Sequence, residues 1–162
     1  MKTIIALFIT LSIAAFAQAQ QKVNITDFKN LDNTNWTGEL MYVNYSDNKE
    51  VTLPTTLQIE VKKNKIVFHT KYTYEASENN KSTIKLKKDG TYLGAQKVVN
   101  VQRNDDGSME IETMYEGQDD NKDATMYFTY FFNDKQLSMK KEVEFKDTPG
   151  KFVRNQYTYT KS

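Results

Sequence analysis

From residue 35 to residue 160, apolar side chains recur at every second position in segments of about ten residues, and short polar turns separate the segments. A period of two is the mark of strands that bury one face, so this stretch is constrained to form sheet. The alternation is cleanest over residues 51–61. Val51, Leu53, Thr55, Leu57, Ile59 and Val61 share one face there, against Thr52, Pro54, Thr56, Gln58 and Glu60. Over residues 35–45, Trp36, Gly38, Leu40 and Tyr42 oppose Thr37, Glu39, Met41 and Val43. Over residues 65–75, Ile66, Phe68, Thr70, Tyr72 and Tyr74 oppose Lys65, His69, Lys71 and Glu75.

Further strands are predicted over residues 82–87, 92–103, 109–116, 124–132, 136–145 and 152–160, about nine in all. Pro54 predicts a bulge or a sheet edge, because it brings no N–H to a ladder. The turns include Asp89-Gly90, Asn104-Asp105-Asp106-Gly107, Asn133-Asp134-Lys135 and Thr148-Pro149-Gly150, whose Gly, Asn and Asp tolerate the backbone of tight hairpins. Consecutive strands therefore pair antiparallel. The expected fold is all-β, an up-and-down meander of about 8–10 strands closed into a barrel, since closure removes exposed edges. A polar lead-in with Asp27, Phe28 and Leu31 predicts a short helical turn before the first strand.

Residues 1–19 have a different character. Met1-Lys2, an apolar run from Ile4 to Phe16, and Ala17-Gln18-Ala19 match the three parts of a secretory signal, with cleavage expected after Ala19. The run is shorter than the roughly 20 residues a membrane-crossing helix needs. Residues 20–162 are then expected to form a single secreted or periplasmic domain. The chain has no Cys, so neither a disulfide framework nor an acylated lipoprotein anchor is available to it. The 22 basic residues nearly balance 21 acidic ones, which gives no electrostatic reason to expect nucleic acid as a partner. An outer-membrane barrel is disfavoured by short links, an apparently odd strand number and a C-terminus without a final aromatic residue.

If the apolar faces point inward, Trp36, Leu40, Tyr42, Leu53, Leu57, Ile59, Phe68, Tyr72, Ile84, Leu86, Phe128, Tyr130 and Phe132 fill or line the interior. A barrel of this size is either packed solid or keeps room for one small ligand. The Asn35-Trp36-Thr37-Gly38 opening, with Phe152-Val153-Arg154 on the last strand, resembles the calycins: lipocalins, fatty-acid-binding proteins and avidins. The resemblance implies a meander barrel in which the first-strand Trp36 is covered by a last-strand cation, Arg154, at a closed end, with Gly38 part of that closure. The lead-in turn would plug the same end. The first link, residues 46–49, is too short for a helical lid.

Catalytic and metal chemistry find no constellation. His69 is the single histidine and sits among lysines on a polar face, which argues against haem, zinc and hydrolytic triads. Asp119, Asn121 and Asp123 have the alternation of a calcium loop, but Ala124 stands where its Gly belongs and Tyr130 where its Glu belongs, so a solvated acidic hairpin is expected. Glu110, Glu112, Glu116, Glu142 and Glu144 are expected on outer faces, paired with lysines. No cofactor and no enzymatic activity are predicted.

Two functions compete. The first is a barrel binding a small hydrophobic or amphipathic ligand, with Leu40, Tyr42, Leu57, Phe68, Tyr72, Phe128 and Tyr130 as interior contacts. The second is a solid barrel acting as an interaction or envelope-scaffold module through Met41, Val43, Tyr45, Tyr127 and Phe131, if their strands close side by side. Self-association would accompany the second.

Overall fold

A computed structural model describes residues 21–162, and the expected leader at residues 1–19 lies outside them. After a 3-10 turn at Ile25–Leu31 come ten strands: β1 (Thr34–Val43), β2 (Glu50–Lys62), β3 (Lys65–Tyr72), β4 (Asn80–Lys87), β5 (Tyr92–Leu93), β6 (Gln96–Arg103), β7 (Met109–Asp119), β8 (Lys122–Phe132), β9 (Gln136–Phe145) and β10 (Phe152–Lys161). Each pairs antiparallel with the next, and β10 returns to β1 to close the barrel. The single segment expected over residues 92–103 is two strands, because the chain turns at Gly94 with φ +64°. The even total withdraws strand parity as an argument against a membrane barrel. The outward positions make that argument instead: Thr56, Gln58, Lys81, Lys85 and Glu116 are polar, where lipid-facing strands need an apolar band. Among the described residues no helix is long and apolar enough to cross a membrane.

Pro54 marks no bulge but a local edge, one residue past the last β2–β3 pair, Thr55 with Tyr72. The bulges lie between Val98 and Asn100 and between Val153 and Asn155. Pro54 pairs with Glu39, and its carbonyl accepts from the Thr73 N–H at 3.2 Å, just past the end of β3. In an antiparallel strand a residue's N and O point the same way, so the missing N–H falls where the β2–β3 ladder has already ended.

The end at which β1 begins is closed by apolar packing. Phe28 and Leu31 of the 3-10 turn are buried against Trp36, Leu57, Ile59, Ile66, Met109, Ile111, Phe132 and Tyr159. The Trp36 Nε1–H donates to Thr34 Oγ1 at 2.8 Å, and that hydroxyl donates to the Leu31 carbonyl at 2.6 Å, so the indole is buried without an orphaned donor. Arg103 reaches from β6 to Asp27 at 2.6 Å and ties the turn to the wall. Gly38 faces Tyr159, where a Cβ would fall 2.8 Å from the Tyr159 Cα, so β1 and β10 can approach closely only around glycine.

Arg154 does not cover Trp36. The register of β1 on β10 sets Trp36 against Lys161, whose Nζ stands 5.9 Å from the indole centroid. Arg154 lies roughly 20 Å further along β10, at the opposite end of the barrel. The last-strand cation nearest the indole is the exposed Lys161, not Arg154. The proposed outer apolar patch also dissolves as drawn, because β1 and β8 are separated by β10 and β9.

Candidate functional site

The interior changes character beyond the apolar core. Closure between β4 and β7 rests on β5, which is two residues long, and on β6. Above the β5–β6 turn, residues 80–84 of β4 and residues 115–119 of β7 have no strand partner on that side among the described residues. Ser82 pairs with Phe68 and shares its inward face, yet it is exposed, so the interior is open to water here.

Behind this opening lies a cavity of about 160 Å³ between β3, β4, β8, β9 and β10. Phe68, Ile84, Phe128, Tyr130, Met139 and Tyr157 form its apolar wall, and Thr70, Asn80, Ser82, Lys141 and Asn155 its polar side. The side chains of Thr70, Asn80, Ser82 and Asn155 make no hydrogen bond to the described residues, so their donors and acceptors are available to a ligand or to water. The Phe128 ring stacks between Tyr115 at 5.8 Å and Tyr130 at 6.3 Å, a ladder of alternate inward residues.

The tyrosine hydroxyls are held by hydrogen bonds. Tyr130 gives its hydroxyl to Gln96 Oε1 at 2.8 Å, an oxygen that also accepts from Thr113 at 2.7 Å. Burial pushes the Tyr130 phenol up to about 12. The Tyr72 and Tyr157 hydroxyls lie 2.9 Å apart. Burial, and then that shared hydrogen bond, push the Tyr157 phenol up. Both phenols stay neutral at physiological pH.

Next to the cavity is a buried ion cluster. Asp119 ends β7 on the inward face, and its side chain is 2% exposed. It accepts from Lys141 at 2.8 Å, from Arg154 at 2.6 and 2.9 Å and from the Tyr45 hydroxyl at 3.0 Å. Burial alone would push the Asp119 carboxyl up. The bond and charge of Lys141 outweigh it, with help from Tyr45 and Arg154, and hold the carboxyl below the usual aspartate range. The Arg154 guanidinium is sandwiched by the rings of Tyr45 at 4.2 Å and Phe152 at 4.8 Å. Asp119 is thus not part of a solvated hairpin. The turn residues Asp120, Asn121, Lys122 and Asp123 are exposed, with positive φ at Asp120 and Asn121 turning the chain and leaving Asp119 on the face of Tyr115 and Gly117.

Of the residues expected to contact a ligand, Phe68, Phe128 and Tyr130 line this cavity. Tyr72 is one hydrogen bond away through Tyr157. Leu57 is packed into the apolar core, Leu40 is buried outside the cavity lining, and Tyr42 is half-buried on the same inward face. Lys141 and Asn155 on the polar side, Tyr157 on the wall, and Gln96, which holds the Tyr130 hydroxyl from outside the lining, are not among the residues expected from sequence. His69 lies on the outer face, 3.4 Å from Glu60, and among the described residues no cluster of ligating side chains gathers to hold a metal. Of the five outer acids expected to pair with lysines, Glu142 meets Lys140 at 3.1 Å and Glu116 meets Lys146 at 3.0 Å, whereas Glu144 accepts from the Tyr127 hydroxyl at 2.9 Å and Glu110 and Glu112 make no ion pair among the described residues. A groove of about 270 Å³ on that outer face is walled by Glu110, Glu112, Glu142, Lys140 and Lys151. In comparisons with known proteins, the sequence matches no family model and no curated protein.

Proposed function

We propose that this chain is a secreted or periplasmic calycin-like barrel that carries one small amphipathic molecule without transforming it. The observation that carries this reading is the cavity itself, in which an aromatic wall meets hydroxyl and amide groups left without protein partners. Its volume of about 160 Å³ suits a single ring or a short chain, since an engineered apolar cavity of about 150 Å³ admits benzene. The calycin likeness draws support from Trp36 and Gly38 on the first strand, the plugging turn and the last-strand Lys161 beside the indole. Tyr130 and Tyr157, held neutral, would orient the ligand's polar end without donating a proton to it.

The test is a native mass spectrum of the protein exported by a bacterial host, taken without any lipid-stripping step. The expected result is a monomer with an added mass of about one hundred to a few hundred daltons, a size set by the cavity, that leaves on collisional activation. A bare monomer that also fails to bind small aromatic probes would contradict the carrier reading. A dimer would favour the competing role, an interaction module working through its outer face.

A further inference from the structure

We propose that the molecule carried in the cavity bears an anionic head, a carboxylate or similar small oxyanion, and that Lys141 receives it. This rests on the carrier reading above and specifies its ligand class. Lys140 and Lys141 are the two charged residues of the cavity lining, and no acid lines it. Lys140 is matched by Glu142 on the outer face. Lys141 pairs with Phe128 and Asn155 in register, both inward, so its ammonium is held inside the barrel with its side chain 16% exposed.

Counting charge at that end leaves an excess. One carboxylate, Asp119, faces two cations, Lys141 and Arg154, and all three are largely buried. Arg154 by itself neutralises Asp119, through Nε and Nη2 on the same oxygen, and its guanidinium is enclosed between two rings. In formal charge Lys141 is therefore surplus to Asp119, although its bond also helps keep that carboxyl ionised. An ammonium carries three donors, and Lys141 spends one, on Asp119 Oδ1. In a cavity open to water the surplus charge is hydrated, and an anion that displaces this water gains a charge-assisted partner. The cavity that Lys141 lines also presents the Asn155 and Asn80 amides and the Ser82 and Thr70 hydroxyls, which suit oxyanion oxygens. A neutral head would satisfy the amides and leave the charge unmatched, and a cationic head would be repelled. The apolar body of the ligand would then lie against Phe68, Ile84, Phe128 and Met139.

The experiment is calorimetric titration of the protein, expressed from its full sequence, with benzoate, benzyl alcohol and benzylamine, which share one ring and differ in head charge. Benzoate is expected to bind about ten- to a hundredfold tighter than benzyl alcohol, the range of a charge-assisted hydrogen bond, and benzylamine weakest of the three. Lys141→Met, which keeps the side chain's length while Arg154 stays on Asp119, should abolish the preference, with benzoate and benzyl alcohol then binding within about twofold of each other. Benzyl alcohol binding as well as benzoate would overturn the anionic head and leave the carrier reading standing. Binding by none of the three would defeat both. A benzoate preference that survives Lys141→Met would overturn the assignment to Lys141. The three-ligand comparison needs no variant, so it decides the head charge even if Lys141→Met does not fold.

Discussion

At the Trp36 end of the barrel, Phe28, Leu31, Leu57 and Ile59 are buried with hardly a polar atom among them, whereas at the other end Asp119, Lys141 and Arg154 are buried as ions. The first arrangement is what closure alone requires. Apolar area leaves water at about 25 cal/mol per Å², and the lone indole donor is met by Thr34. The second is expensive, because well-packed apolar residues of the same volume commonly serve stability as well or better. A chain that keeps an ion cluster beside an open cavity gives up stability at that end, which is why the functional reading is placed there and not at the Trp36 end.

The comparison breaks most visibly at Trp36. Trp36→Ala should cost about 4 kcal/mol, through lost burial and the cavity left behind. Urea denaturation should show this as a large drop in midpoint, and an unchanged midpoint would mean that closure does not depend on the indole.

Asp119→Asn should cost about 3 kcal/mol at neutral pH, because it strands two buried cations. The acid limb sharpens this prediction. The folded-state pKa of Asp119 is depressed, so its contribution is present above the unfolded value and is lost as pH falls through the folded one. The stability gap between wild type and Asp119→Asn should therefore narrow below about pH 4, the ordinary aspartate range. A gap that stays constant down to about pH 2 would show that the carboxylate charge is not what matters.

The smallest effect is expected at Arg103→Ala. Its partner pair with Asp27 is part-exposed and should be worth under about 1 kcal/mol, with faster amide exchange in residues 25–31 and little change in midpoint.

Much of the barrel was legible in the residues because a buried face imposes period two on the strands, and Gly, Asn and Asp turn residues mark where most of them stop. The inward positions of Phe68, Phe128 and Tyr130 follow from that alternation alone. Cross-barrel partners do not follow, since pairing register is set by three-dimensional closure. That is how Arg154 came to be expected beside Trp36 when the register puts Lys161 there. Asp119 was hidden by its neighbours, whose alternating oxygens have the look of a solvated loop. Two signals were present in the sequence. Asp119 continues the inward parity of Thr113, Tyr115 and Gly117, and Lys141 interrupts the apolar stripe of Leu137, Met139, Val143 and Phe145. The break between β5 and β6 was signalled by Gly94, whose positive φ turns the chain inside what otherwise reads as one strand.

A ligand should enter the Lys141 end of the barrel and leave the Trp36 end untouched. Methyl NMR of the protein titrated with benzoate reads both ends at once. The predicted result is saturable shifts at the Ile84 and Met139 methyls, with Leu31, Leu57 and Ile59 unmoved. Shifts centred instead on Met41, Val43 or Val99 of the outer face, or none at Ile84 and Met139 at saturating benzoate, would contradict it.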